Sequence, residues 1–176
     1  MKKSWPLRRP TNPHHGHTLV EMMVVIALLV LLVSLISVPG DFLNRMLVRA
    51  QVEKLQAACR YLQRRAMAEG KQLTLQFDRH TDSYRCDTQH NTLPKQVTFG
   101  ILPGTKGPPS SPTHPLASPI TFEHDRITFG ADGIMQSGTV YLTDTSHRCL
   151  YALTAGVGTI SHLRTYCYRT SWQLLS

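Results

Sequence analysis

The chain has 176 residues, 41% of them apolar, with 19 Lys and Arg against 11 Asp and Glu, a formal net charge of +8. That length suits one globular domain rather than several. Four of the basic residues, Lys2, Lys3, Arg8 and Arg9, lie in the first sixteen positions, which contain no acid; without them 15 basic residues face 11 acidic ones, a net of +4, so total charge alone does not make this a nucleic-acid-binding protein.

Residues 1–16, MKKSWPLRRPTNPHHG, form a short polar leader. Positive charge ahead of a first membrane helix keeps that end cytoplasmic. His14, His15 and His17 resemble a metal tract, but no metal ligation is expected there. Met22 to Val38 then runs without a charge, broken only by Ser34 and Ser37. As a helix this run is about 25 Å long, near the lower limit for spanning a bilayer, and Leu19 and Val20 lengthen it. Glu21 is the anomaly: a carboxylate at the start of an apolar helix calls for a partner.

Gly16-His17-Thr18-Leu19-Val20-Glu21 after a basic leader, followed by an apolar helix, resembles the processing signal of type IV pilins and type II secretion pseudopilins. The resemblance implies cleavage between Gly16 and His17 by a prepilin peptidase and N-methylation of His17. His17 stands where that family mostly has Phe. Glu21, the fifth mature residue, then pairs with a free amino terminus, its own or a neighbour's, as helices pack in a filament, which offsets the desolvation of both charges. A signal anchor or a cleavable secretory peptide are the plainer alternatives; Val38-Pro39-Gly40 makes a poor secretory cleavage site.

Pro39-Gly40 punctuates the helix, and Asp41 can cap its continuation. From Phe42 to Glu69 apolar residues recur at three- and four-residue spacing: Phe42, Leu43, Met46, Leu47, Ala50, Leu55, Ala58, Leu62 and Ala66. Arg45, Arg49, Lys54, Arg60, Arg64 and Arg65 fill much of the remainder. This predicts an amphipathic helix packed on the domain, with its basic side solvated or paired with neighbours. Gly70 stops it.

Beyond Gly70 the period becomes two. Residues 73–77 and 83–87 form a hairpin, and 96–101 a third strand. Pro103 to Pro119, with six prolines, is an exposed loop without a special role. Short strands follow at 120–122 and 126–129, a turn at 130–133, then 138–143, 148–154 and 159–168 as an antiparallel meander. The fold class is α+β: a long amino-terminal helix, half membrane and half amphipathic, packed on a small antiparallel β-sheet. The expected divisions are a cleaved leader 1–16, a transmembrane helix 17–40, its amphipathic continuation 41–70 and a β-rich periplasmic domain 71–176.

Ile127-Thr128-Phe129, Asp132-Gly133, Ser137 to Leu142 and Leu150 to Gly158 resemble the GspH/FimT family of minor pseudopilins. The resemblance implies a subunit of a type II secretion or type IV pilus-like filament, held in the inner membrane by one span with its domain in the periplasm, and partnered by the prepilin peptidase and other pilins. Some FimT-like members carry a basic G-R-x-R turn used for DNA uptake; here the turn is Gly156-Val157-Gly158-Thr159. Arg164 and Arg169, interleaved with Tyr166, Tyr168 and Trp172, are the candidate DNA contacts. A membrane-anchored domain that never polymerises is the other alternative.

A periplasmic location permits disulfides. Cys59, Cys86, Cys149 and Cys167 allow three pairings, with Cys149–Cys167 across adjacent strands and Cys59–Cys86 from helix to hairpin as the candidates. There is no phosphate loop, zinc motif or nucleophile elbow. His124-Asp125 and Asp144 to His147 are the nearest approach to an acid–base pair and read as turns. No enzyme activity, metal or cofactor is expected.

Overall fold

The computed structural model describes residues 18–36, 40–87, 89–107, 114–156 and 162–175. The chain divides into two units, residues 1–38 and 39–176. The first holds α1, Leu19–Ile36. The second holds α2, Gly40–Glu69, and the strands β1 Leu73–Asp78, β2 Ser83–Cys86, β3 Gln89–Thr92, β4 Val97–Phe99, β5 Arg126–Phe129, β6 Gly138–Asp144, β7 Leu150–Gly156, β8 His162–Tyr168 and β9 Trp172–Leu174. The fold class is α+β, as the sequence indicates.

In place of one small sheet there are two, both antiparallel, ordered β3-β2-β1-β5 and β4-β6-β7-β8-β9. The first grows outward from the β1–β2 hairpin: β5 pairs with the free edge of β1, setting Leu75 opposite Ile127. The second is the expected meander, with β4 added to β6. Ile120 contributes only an isolated bridge to Val140, and no strand forms at 120–122.

One helix face closes both sheets. Val48, Val52, Leu55, Cys59, Leu62 and Ala66 are all buried. Their steps alternate four and three, which keeps one narrow stripe in register along a helix. They share a core with Leu75, Phe77, Ile127 and Phe129 of the first sheet and Val140, Leu142, Leu153 and Leu163 of the second. The stripe read from sequence is therefore shifted. Phe42, Leu43, Met46 and Leu47 are exposed, and so is Ala50, while Val48, Val52 and Cys59 take the inward positions. The sheets meet directly where Phe77 packs edge-on against Phe99, ring centroids 5.6 Å apart.

The outer side of the second sheet is covered as well. Tyr141, Leu150, Ala152 and Tyr166 form a second buried cluster, closed by Ile101, Leu102, Leu116, Tyr168 and Trp172. Trp172 donates its indole N–H to the Lys106 carbonyl at 2.9 Å. The proline-rich segment is thus a roof over an apolar face, not a bare connection. Residues 108–113 within it lie outside the described part.

Two glycines of the family-like motif have steric reasons. Gly133 sits at φ +81°, and a Cβ there would lie 2.6 Å from the Met67 sulfur of α2. Its carbonyl accepts the Gln63 amide at 2.7 Å, which docks the 130–133 turn on the helix. A Cβ on Gly138 would lie 2.5 Å from the Phe122 ring.

If Val48 to Ala66 is the packing stripe, Leu55→Ala costs about 2–5 kcal/mol. Met46→Ala, on the exposed side, stays within about 0.5 kcal/mol. Denaturant unfolding of the two variants checks the assignment, and equal losses would return the stripe to the sequence-derived register.

Candidate assembly surface

α1 is apolar but for Glu21 and Ser34, and its apolar residues lie on every side of the helix. Its large apolar side chains from Leu19 to Val33 are between 46% exposed at Val25 and 76% at Leu19. A helix apolar all round belongs against other helices or in lipid, because water gains nothing by wetting it. Over eighteen residues it rises about 27 Å, a little under a hydrocarbon core of about 30 Å. Among the described residues no helix is long and apolar enough to cross a membrane. The adjoining residues, 1–17 and 37–39, lie outside the described part, and with them the expected cleavage positions Gly16 and His17, the histidine tract and Pro39.

The start of α1 is built by Thr18 and Glu21. Thr18 precedes the first helical residue, and its hydroxyl accepts the Glu21 backbone N–H at 3.4 Å. The Met22 N–H reaches the Thr18 carbonyl at 3.2 Å. Thr18 is therefore the N-cap, with Glu21 three residues inside it, the spacing of a capping box. A carboxylate in the first turn also complements the positive end of the helix dipole. The signal for this cap lies in the sequence itself, in the Thr18-Leu19-Val20-Glu21 spacing.

In the first two turns of α2, Phe42 and Met46 are 56% and 55% exposed. Further along, the basic side is partly neutralised. Arg49 pairs with Glu53 at 2.8 Å and Arg65 with Glu69 at 2.6 Å, both at i,i+4. Arg65 also reaches Asp87 at 3.4 Å.

The candidate DNA contacts are not brought together. Arg164 is exposed on the side of β8 that also carries Tyr166. Arg169, just past the strand, lines a cavity with Cys149 and Cys167 on the helix side of the sheet. Tyr166 is 7% exposed and packs beside Trp172 under the roof, so the aromatics offer buried packing rather than an open stacking platform. The turn 157–161 lies outside the described residues.

Cys59, Cys86, Cys149 and Cys167 are all free and buried. Across β7–β8 the register sets Cys167 opposite Tyr151, two residues beyond Cys149. A diagonal neighbour of that kind sits about 7–8 Å away between Cα atoms, beyond the usual span of a disulfide. Burial pushes the thiols of Cys59 and Cys149 up to about 12, so both are held protonated.

The two acid–base candidates are turn fastenings. Asp125 pairs with Arg79, and Gln76 donates to the carbonyls of His124 and Asp125 at 3.0 and 3.1 Å. Asp144 is buried, and one oxygen accepts the N–H groups of Arg148 at 2.7 Å and Cys149 at 3.0 Å. Burial alone would raise its pKa, but these backbone donors outweigh burial and hold the carboxyl below its ordinary value.

A family model for the prokaryotic N-terminal methylation motif matches residues 11–37. A second, for Type II transport protein GspH, matches residues 51–158, more than half of the chain. No curated protein and no solved structure matches.

Because the native pKa of Asp144 is depressed, its ionised form stabilises the fold above the unfolded value of about 3.9. That contribution is lost as pH falls through the native value. Asp144→Ala strands two backbone donors and costs about 1–3 kcal/mol at pH 7. Urea titrations at pH 7 and pH 3 check this: the gap between wild type and variant narrows in acid, and a gap independent of pH would contradict it.

Proposed function

The chain belongs to the GspH family of type II transport proteins, a pseudopilin with an amino-terminal methylation motif; from that premise we propose that it is a minor subunit of a short envelope-spanning filament. It is cut between Gly16 and His17 by a prepilin peptidase, methylated at His17 and held in the inner membrane by its apolar helix until assembly. Its domain lies on the periplasmic side. The role is structural rather than catalytic.

The observation that carries this reading is α1 itself. It is an apolar helix exposed on every side, and it starts at a Thr18–Glu21 cap within the residues that match the N-terminal methylation motif. Removing the polar leader leaves this helix as the end of the chain, with Glu21 in its first turn. In a bundle of such helices the amino terminus of one subunit sits beside the carboxylate of the next, and each neutralises a charge that is costly in an apolar setting. A one-residue slip would separate them, so the pair sets register along the filament.

Intact mass of the membrane-extracted chain, with and without co-expressed prepilin peptidase, tests the processing step. Loss of residues 1–16 only when the peptidase is present is expected; an uncut chain would sink the reading, and a cut near Gly40 would make this a secretory peptide. Glu21→Ala should be cleaved as wild type yet fail to enter filaments, seen as loss of crosslinking to the other pseudopilins. Unchanged crosslinking would remove Glu21 from assembly.

A further inference from the structure

A cavity of about 280 Å³ lies between α2 and the ends of β7 and β8, lined by Arg45, Arg148, Arg169, Tyr151 and Tyr168 among others. Its three guanidinium groups come from three separate places: the second turn of α2, the β6–β7 turn and the residue after β8. No carboxylate is among the described lining residues. Glu53 on α2 is engaged by Arg49, and the Asp144 carboxylate behind the wall is committed to the Arg148 and Cys149 N–H groups and the Cys149 thiol. The two thiols on the wall, Cys149 and Cys167, are free and buried, and burial holds the Cys149 thiol and the Tyr151 phenol near 12, so neither supplies negative charge.

Arg45 and Arg169 reach one concavity from separate elements, and an anion that both share offsets their mutual repulsion. Arginine suits oxyanions with more than one free oxygen, since its fork donates two parallel N–H groups. The phenols add neutral O–H donors. The volume exceeds that of a single water by several-fold and accommodates a tetrahedral oxyanion. We propose that this cavity is a binding site for a phosphate group. A phosphodiester headgroup of an anionic lipid is the source that the surroundings favour. Arg45 is flanked along the same helix by exposed Phe42 and Met46, an apolar and basic combination suited to a lipid surface. The lipid source rests on the membrane anchoring proposed above; the phosphate chemistry does not. Arg148 has another partner within the molecule, so Arg45 and Arg169 are the residues to alter.

The test uses the full chain in neutral-detergent micelles. In one arm the micelles carry equal phosphatidylglycerol and phosphatidylcholine, and native mass spectrometry reads the retained lipid. In the other arm inorganic phosphate is titrated calorimetrically. Wild type is expected to retain phosphatidylglycerol selectively. The Arg45→Gln/Arg169→Gln double variant should bind roughly tenfold or more weakly, while Arg85→Gln/Lys95→Gln, the same charge loss elsewhere, is unchanged. Matching thermal midpoints certify that the double variant is folded; if it is not, Arg169→Gln alone is read. Variant-sensitive binding of inorganic phosphate without lipid selectivity upholds the site and removes the lipid as its source. Absence of binding in both arms, or binding that the arginine substitutions leave intact, overturns the proposal.

Discussion

The domain depends on one narrow stripe of α2. Val48, Val52, Leu55, Cys59, Leu62 and Ala66 form the shared wall of two sheets that are not hydrogen-bonded to each other. Fully burying an aliphatic side chain of this kind is worth roughly 1.5–3 kcal/mol. Either sheet alone would leave one apolar face in water. The helix, in turn, has a polar composition overall and would be marginal without the sheets. The Asp132-Gly133 turn follows from the same contact, because only a residue without a Cβ lets the backbone reach Gln63 and Met67.

The two helices thus meet different fates. α2 has one apolar stripe and finds its partner within the chain. α1 is apolar on all sides and finds none among the described residues of its own unit. The core of the domain is complete without α1.

Much of this was legible in the sequence. β1 and β5 alternate cleanly because each has one wet face, and LTLQF and RITF declare it. The Gly70 stop and the β6–β8 meander follow from turn chemistry and period. β3 was not legible: Gln89-His90-Asn91-Thr92 holds no apolar residue, since it is an edge strand paired only with β2. The α2 stripe was misplaced because Phe42, Leu43 and Met46 are larger and more conspicuous than Val48 and Val52, and only the sheets decide which set faces inward. Arg164 and Arg169 were linked by proximity in sequence, yet an odd separation along a strand sends side chains to opposite faces. Strand register, which bears on Cys149 and Cys167, has no local sequence signal.

The roof over the second sheet bears on how such chains can diverge. Connecting loops ordinarily accept insertions and deletions because nothing rests on them. Here Ile101, Leu102 and Leu116 seal a cluster that includes Tyr141 and Tyr166, and Lys106 anchors Trp172 from the far end of the domain. Drift in the length of this segment is therefore constrained from both sides: a shortened form would have to be matched by smaller, more polar residues at 141, 166 and 172, so that the segment and strands β6, β8 and β9 evolve as one unit rather than as a spacer and a tail.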